Sequence, residues 1–115
     1  MSTLLNSLMT ELRRGTLTLA VLSRLQAPQY GYSLVQSLEN MGISIEQSTL
    51  YPLLRRLEKQ ELVTSYWDTK ESRPRKYYML SDYGKEIYIQ LKEEWLSSSK
   101  LMHTLLEGEG EDEAD

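Results

Sequence analysis

Between residues 48 and 59, Ser48, Tyr51, Arg55 and Lys59 recur at helical spacing, with Thr49 and Arg56 at the margin of the same face. Hydroxyls, guanidinium and ammonium groups are all donors, so the chemistry such a face offers is recognition of an acceptor-rich, anionic surface. An arginine binds guanine in bidentate fashion, whereas a lysine more often neutralises phosphate. A second group of donors, Lys70, Arg73, Arg75 and Lys76, follows within a short span. Each group also has a plain alternative: a solvated helix face, or charges on a hairpin that discourage edge pairing.

Other chemistries lack their parts. The chain has no cysteine and a single histidine, His103. Disulfides, thiolate nucleophiles, a zinc site and a Ser-His-Asp arrangement therefore have no support, and no metal or cofactor is expected. Glu93 and Glu94 read as a solvated face and not as an acid/base pair. No apolar run approaches the length a membrane span needs, and residues 1–6 lack the pattern of a signal peptide. An enzyme is not expected, and a cytoplasmic location is.

The net charge of −4 hides a local excess of base. Six of the 17 acidic residues lie in 107–115, which leaves 11 acids against 13 bases in 1–106. Seven bases and four acids fall between Ser48 and Lys76. Local field matters more than the total for a polyanionic partner.

The elements that must position these groups are readable from periodicity. Residues 5–26 read as a largely buried first helix, whose first two turns are either continuous with it or split off at Gly15. A second helix is expected over Tyr32–Met41, closed by Gly42. The third starts between Ser44, which with Gln47 fits a capping box, and Ser48, and reaches Gln60. Leu50, Leu53, Leu54 and Leu57 form its core stripe, and Pro52 inside it implies a slight bend. Residues 62–68 and 75–80 read as a β-hairpin. Ser81 caps a last helix to Leu106, about 39 Å long, with Ile87, Leu91, Trp95, Met102 and Leu105 on a coiled-coil-like seam. The acidic stretch 107–115 is expected to be disordered. Helix, helix, turn, helix, hairpin and long helix make a mainly α chain: a winged helix-turn-helix over 1–80 and a dimerisation helix over 81–106.

The segment S-T-L-Y-P-L-L-R-R-L-E-K at 48–59 resembles the G-T-L-Y-P-x-L-x-R-L-E motif of the PadR family of transcriptional regulators. Y-G-Y at 30–32, Trp67, R-P-R-K-Y-Y at 73–78 and L-S-D-Y-G-K at 80–85 extend the resemblance over about residues 12–106. Ser48 and Glu61 stand where the family usually has glycine, and the second departure leaves the turn into the wing open. The resemblance implies a repressor that binds a near-palindromic double-stranded operator as a homodimer. It would do so through Tyr32, Ser48, Thr49, Tyr51, Arg55, Lys59, Lys70, Arg73 and Arg75. Arg75 and Lys76 alternate along a strand, so one of them is structural. One of Tyr77 and Tyr78 belongs to the core by the same logic.

Trp95 has two readings. It anchors a helix interface, or, as in the short branch of the family that holds multidrug regulators, it stacks a planar apolar effector with Met9 and Leu12 completing the walls. The other function considered is a winged-helix module that binds protein and not DNA. A membrane-surface helix over 81–106 is disfavoured because its polar face mixes signs.

Overall fold

The computed structural model describes the backbone of residues 2–114 and the side chains of residues 2–108. Its elements run α1 (Thr3–Ser23), β1 (Gln29–Tyr30), α2 (Gly31–Asn40), α3 (Gln47–Lys59), β2 (Val63–Asp68), β3 (Arg75–Leu80) and α4 (Asp82–Ala114). The core lies where α1, α2 and α3 meet one face of the small sheet. Val21, Leu22, Leu25, Leu34, Leu38, Leu50, Leu54, Leu57 and Val63 are there almost fully removed from water. Alternation in the strands sends Val63, Tyr78 and Leu80 to that face, so Tyr78 is the core tyrosine and Tyr77 lies opposite.

Several sequence expectations need correction. The first helix is unbroken at Gly15 but buries only its last turns; Leu4, Leu5, Leu8 and Leu12 are exposed. It begins at Thr3 because the Ser2 hydroxyl accepts the Leu4 and Leu5 N–H groups at 3.2 and 3.4 Å. It ends at Ser23, short of residue 26, and the Leu25 carbonyl instead accepts the Leu80 N–H at 2.8 Å. The β component is a three-stranded antiparallel sheet in the order β1-β3-β2, not a hairpin alone. Gln29 and Tyr30 pair with Tyr78 and Tyr77, and two residues are too few to leave a period-2 signature. The expected capping box is absent: α3 follows Glu46, and the Ser48 hydroxyl donates to the Glu46 carboxylate at 3.3 Å. Pro52 lies within an uninterrupted α3.

Two helices end in the same way. After α2, the Gly42 N–H reaches the Glu39 carbonyl and the Ile43 N–H reaches Leu38, at 2.9 and 2.8 Å. After α3, the Glu61 N–H reaches Glu58 and the Leu62 N–H reaches Leu57, both at 3.0 Å. Both are Schellman motifs, which need a left-handed residue. Gly42 supplies φ 91°, and Glu61 is forced to φ 65°. The turn into β2 is thus the glycine-type turn, built without the glycine.

α4 starts where expected. The Ser81 hydroxyl accepts the Gly84 N–H at 2.8 Å and donates to the Glu61 carbonyl at 2.6 Å, which joins the end of α3 to the start of α4. The helix does not stop at Leu106, since propagation adds one backbone bond per residue and Glu107 does not interrupt it. Beyond Gly108 the expected acidic tail falls on residues whose side chains lie outside the described ones. Leu91, Trp95, Met102 and Leu105 are exposed as a seam, and Ile89, Leu96, Leu101 and Leu106 form further exposed apolar positions the single seam did not anticipate. The chain measures 67 × 36 × 24 Å, its length reflecting this projecting helix.

Candidate nucleic-acid interface

Four buried leucines set the azimuth of α3. With Leu50, Leu53, Leu54 and Leu57 turned inward, a 3.6-residue period sends Ser48, Thr49, Pro52, Arg55, Arg56 and Lys59 to solvent, and all six are exposed. Tyr51 departs from the expectation. It is partly buried, packed over Gly31 at the start of α2, where an added methyl group would overlap its phenol ring. A glycine at 31 is therefore what lets the recognition face carry a seated tyrosine. Tyr32, one residue on, is exposed and accepts a hydrogen bond from the Gln36 amide at 3.0 Å.

The hairpin β2–β3 stands beside this helix. Glu58 is the tether: it accepts the Ser65 hydroxyl and lies 3.9 Å from the Lys76 ammonium. Lys76 is also 5.5 Å over the Tyr78 ring, so it is the strand residue turned toward α3. Arg75 occupies the other face. Its guanidinium lies 4.6 Å from the Tyr30 ring centroid, and hydrogen bonding to Tyr77 together with the field of Tyr30 pushes its pKa above the ordinary arginine value. Tyr77 in turn stacks on Tyr66 at 5.6 Å and meets Tyr30 edge-on at 5.5 Å. This three-tyrosine row stiffens the base of the wing and holds Arg75 in one place. Beyond it the tip turns, with the Asp68 carboxylate accepting the Lys70 N–H at 3.0 Å and Lys70 and Arg73 in solvent.

Tyr30, Tyr51, Trp67, Arg75 and Lys76 line a cleft between the wing and the start of α2, where Tyr51 alone of the α3 donors meets Arg75 and Lys76 of the wing; Ser48, Thr49, Arg55, Lys59, Lys70 and Arg73 do not line it. Sequence reasoning missed Glu58 and Gly31. Both act through long-range packing, for which spacing within one helix gives no signal. Met9 is partly buried, while Leu12 and Trp95 are exposed, and none of the three lines the cleft beside the wing. Among the described residues no helix is long and apolar enough to cross a membrane, and no group of three His, Asp or Glu side chains could hold a metal ion.

A helix that turns its donors outward beside a basic β-wing defines the winged helix-turn-helix class of protein. Similarity to known proteins agrees in detail. The model of the PadR-like family of transcriptional regulators matches residues 18–90, and the chain belongs to that family. It is 48% identical to a PadR-family transcriptional regulator from Eggerthella lenta DSM 2243, whose crystal structure superposes with a TM-score of 0.81 over 90% of this chain and 93% of that one. A PadR-like transcriptional regulator from Bacillus cereus is 29% identical, with a TM-score of 0.78 over 86% and 99% of the two chains. An uncharacterised protein of Lysinibacillus sphaericus is 32% identical over 88 residues, 73% of this chain and 81% of its own. Both of these solved structures are of transcriptional regulators.

Proposed function

We propose that the chain is a transcriptional repressor that binds a near-palindromic double-stranded operator as a homodimer in the cytoplasm. The observation that carries this is the exposure of Ser48, Thr49, Arg55 and Lys59 on α3, the helix that Glu58 ties to a hairpin whose tip exposes Lys70 and Arg73. Arg55 and Thr49 read base edges in the major groove, Tyr51 and Tyr32 fix the register, and the wing holds phosphates. Residues 1–80 are the DNA-binding unit, and α4 is the dimerisation helix.

The homodimer is supported by apolar side chains that one chain cannot cover. Leu4, Leu8 and Leu12 on α1 and Leu91, Trp95 and Met102 on α4 are between 41% and 79% exposed. Pairing of these surfaces sets two recognition helices about 34 Å apart, one turn of DNA. A planar apolar effector stacks on Trp95 at that interface, with Met9 and Leu12 at its edge. It releases DNA by favouring one spacing of the two helices over the other.

Fluorescence anisotropy with a duplex selected from a random pool tests the reading. Neutralising about six to ten phosphates gives a slope of log affinity against log salt near −5 to −9. Absence of any salt-dependent DNA affinity would overturn it in favour of a protein-binding module.

A further inference from the structure

On α3, residues two apart point about 200° apart, so the flank opposite Tyr51 and Glu58 is that of Thr49 and Arg56. That flank does not meet the wing. It faces the middle of α1 across an open cleft of about 330 Å³ lined by Arg13, Arg14, Arg56, Thr10 and Thr49 over an apolar floor that includes Leu17. All three arginines are exposed, and none lies within ion-pair reach of a carboxylate among the described residues. Three guanidinium groups around one cleft repel each other, and the hydroxyl of Thr49 adds a neutral donor, whereas that of Thr10 donates to the Asn6 carbonyl at 2.9 Å. The surface is complementary to anionic oxygen.

We propose that this cleft binds phosphates of the DNA backbone on the side of the recognition helix away from the wing, so that α3 is flanked by two backbone clamps. Continuity selects the occupant. Thr49 belongs both to the cleft and to the face of α3 that carries Ser48 and Arg55, so a ligand seated on that face runs into the three arginines. An extended polyanion meets both at once, and a free phosphate ion meets only one. The inference rests on the DNA-binding reading above and adds Arg13, Arg14 and Arg56 to its binding surface.

Two variants test it, Arg13→Gln/Arg14→Gln on α1 and, independently, Arg56→Gln on α3, each with its fold checked by circular dichroism and its assembly by sedimentation. Affinity for the selected duplex and for random duplex is measured over a salt series. Each phosphate that is no longer neutralised flattens the slope by about 0.9, which at 0.1 M salt is about eightfold in affinity. The double variant, present in both protomers, should flatten the slope by about 2 to 4, Arg56→Gln by about 1 to 2, with the ratio of selected to random binding unchanged. The corresponding lysine substitutions should restore the slope. Unchanged slopes in the folded variants would overturn the proposal, as would a loss of affinity confined to the selected duplex. Millimolar inorganic phosphate at fixed ionic strength that weakens DNA binding of the unaltered chain, with no flattening in either variant, would assign the cleft to a small anion and also overturn it. If the α1 variant does not fold, Arg56→Gln decides alone. An unaltered chain without DNA affinity defeats the functional reading itself and is recognisable as that separate result.

Discussion

Glu61 is a glutamate in a position built for glycine, and replacing it should stabilise the protein. Its φ of 65° places it in the left-handed region as the C′ residue of α3. A side chain bearing Cβ costs roughly 1–2 kcal/mol there. Glu61→Gly removes that strain but adds unfolded-chain entropy worth about 0.4–1 kcal/mol, leaving a net gain of about 0.8 kcal/mol from the middle of the two ranges. The hydrogen bonds that define the turn survive the change, because Glu61 enters all of them through its backbone. The Glu61 N–H still reaches Glu58 and the Glu61 carbonyl still accepts the Ser81 hydroxyl. The Glu61 side chain is exposed and makes no ion pair among the described residues. Thermal unfolding at fixed protein concentration should therefore show a rise of about 2–6 °C for a domain of this size. Glu61→Ala removes the same charge and keeps the strained Cβ, so it should stay close to the parent. If Glu61→Gly is no more stable than Glu61→Ala, the strain at this turn does not exist.

Gly84 should behave in the opposite sense. A methyl group there overlaps the Leu62 carbonyl, which accepts the Ser81 N–H at 3.0 Å, and backbone cannot step aside as a side chain can. Gly84→Ala should cost about 1–3 kcal/mol in a denaturant titration, whereas Gly15→Ala, with open space around it, should gain up to about 1 kcal/mol. Burial pushes the Tyr78 phenol above the ordinary tyrosine value, with Glu58 and Tyr51 adding to the shift and Arg55 opposing it. A folded pKa raised above the unfolded one means stability is fully present below about pH 10 and is lost as pH climbs from there through the folded value. Tyr78→Phe should flatten that alkaline loss, read as denaturation midpoints between neutral and strongly alkaline pH.

The helical framework was legible because its signals are local. Leucines at 50, 53, 54 and 57 carry the inward face of α3 in their spacing alone, and Ser81 followed by Gly84 marks the start of α4 as a side-chain cap. What periodicity could not reach was pairing between distant segments. β1 exists because Gln29 and Tyr30 find Tyr78 and Tyr77, nearly 50 residues away, and nothing within Gln29–Tyr30 announces it. The burial of α1 was overestimated for a related reason. A leucine repeat says that an apolar face must be covered, not that the same chain covers it, and Leu12 at 79% exposed is the clearest case.

The candidate site divides along the same line. Exposure of Thr49, Arg55 and Lys59 follows from the leucines opposite them, and the sequence contains that relation. The roles of Arg75 and Lys76 do not follow, although their alternation does. Spacing shows that they face apart, but which face each takes depends on Glu58 drawing Lys76 toward α3 and on Tyr30 and Tyr77 receiving Arg75 on the outer face. Those partners come from three different elements. Charge on a strand can be counted from the sequence; its direction is decided by what the fold sets beside it.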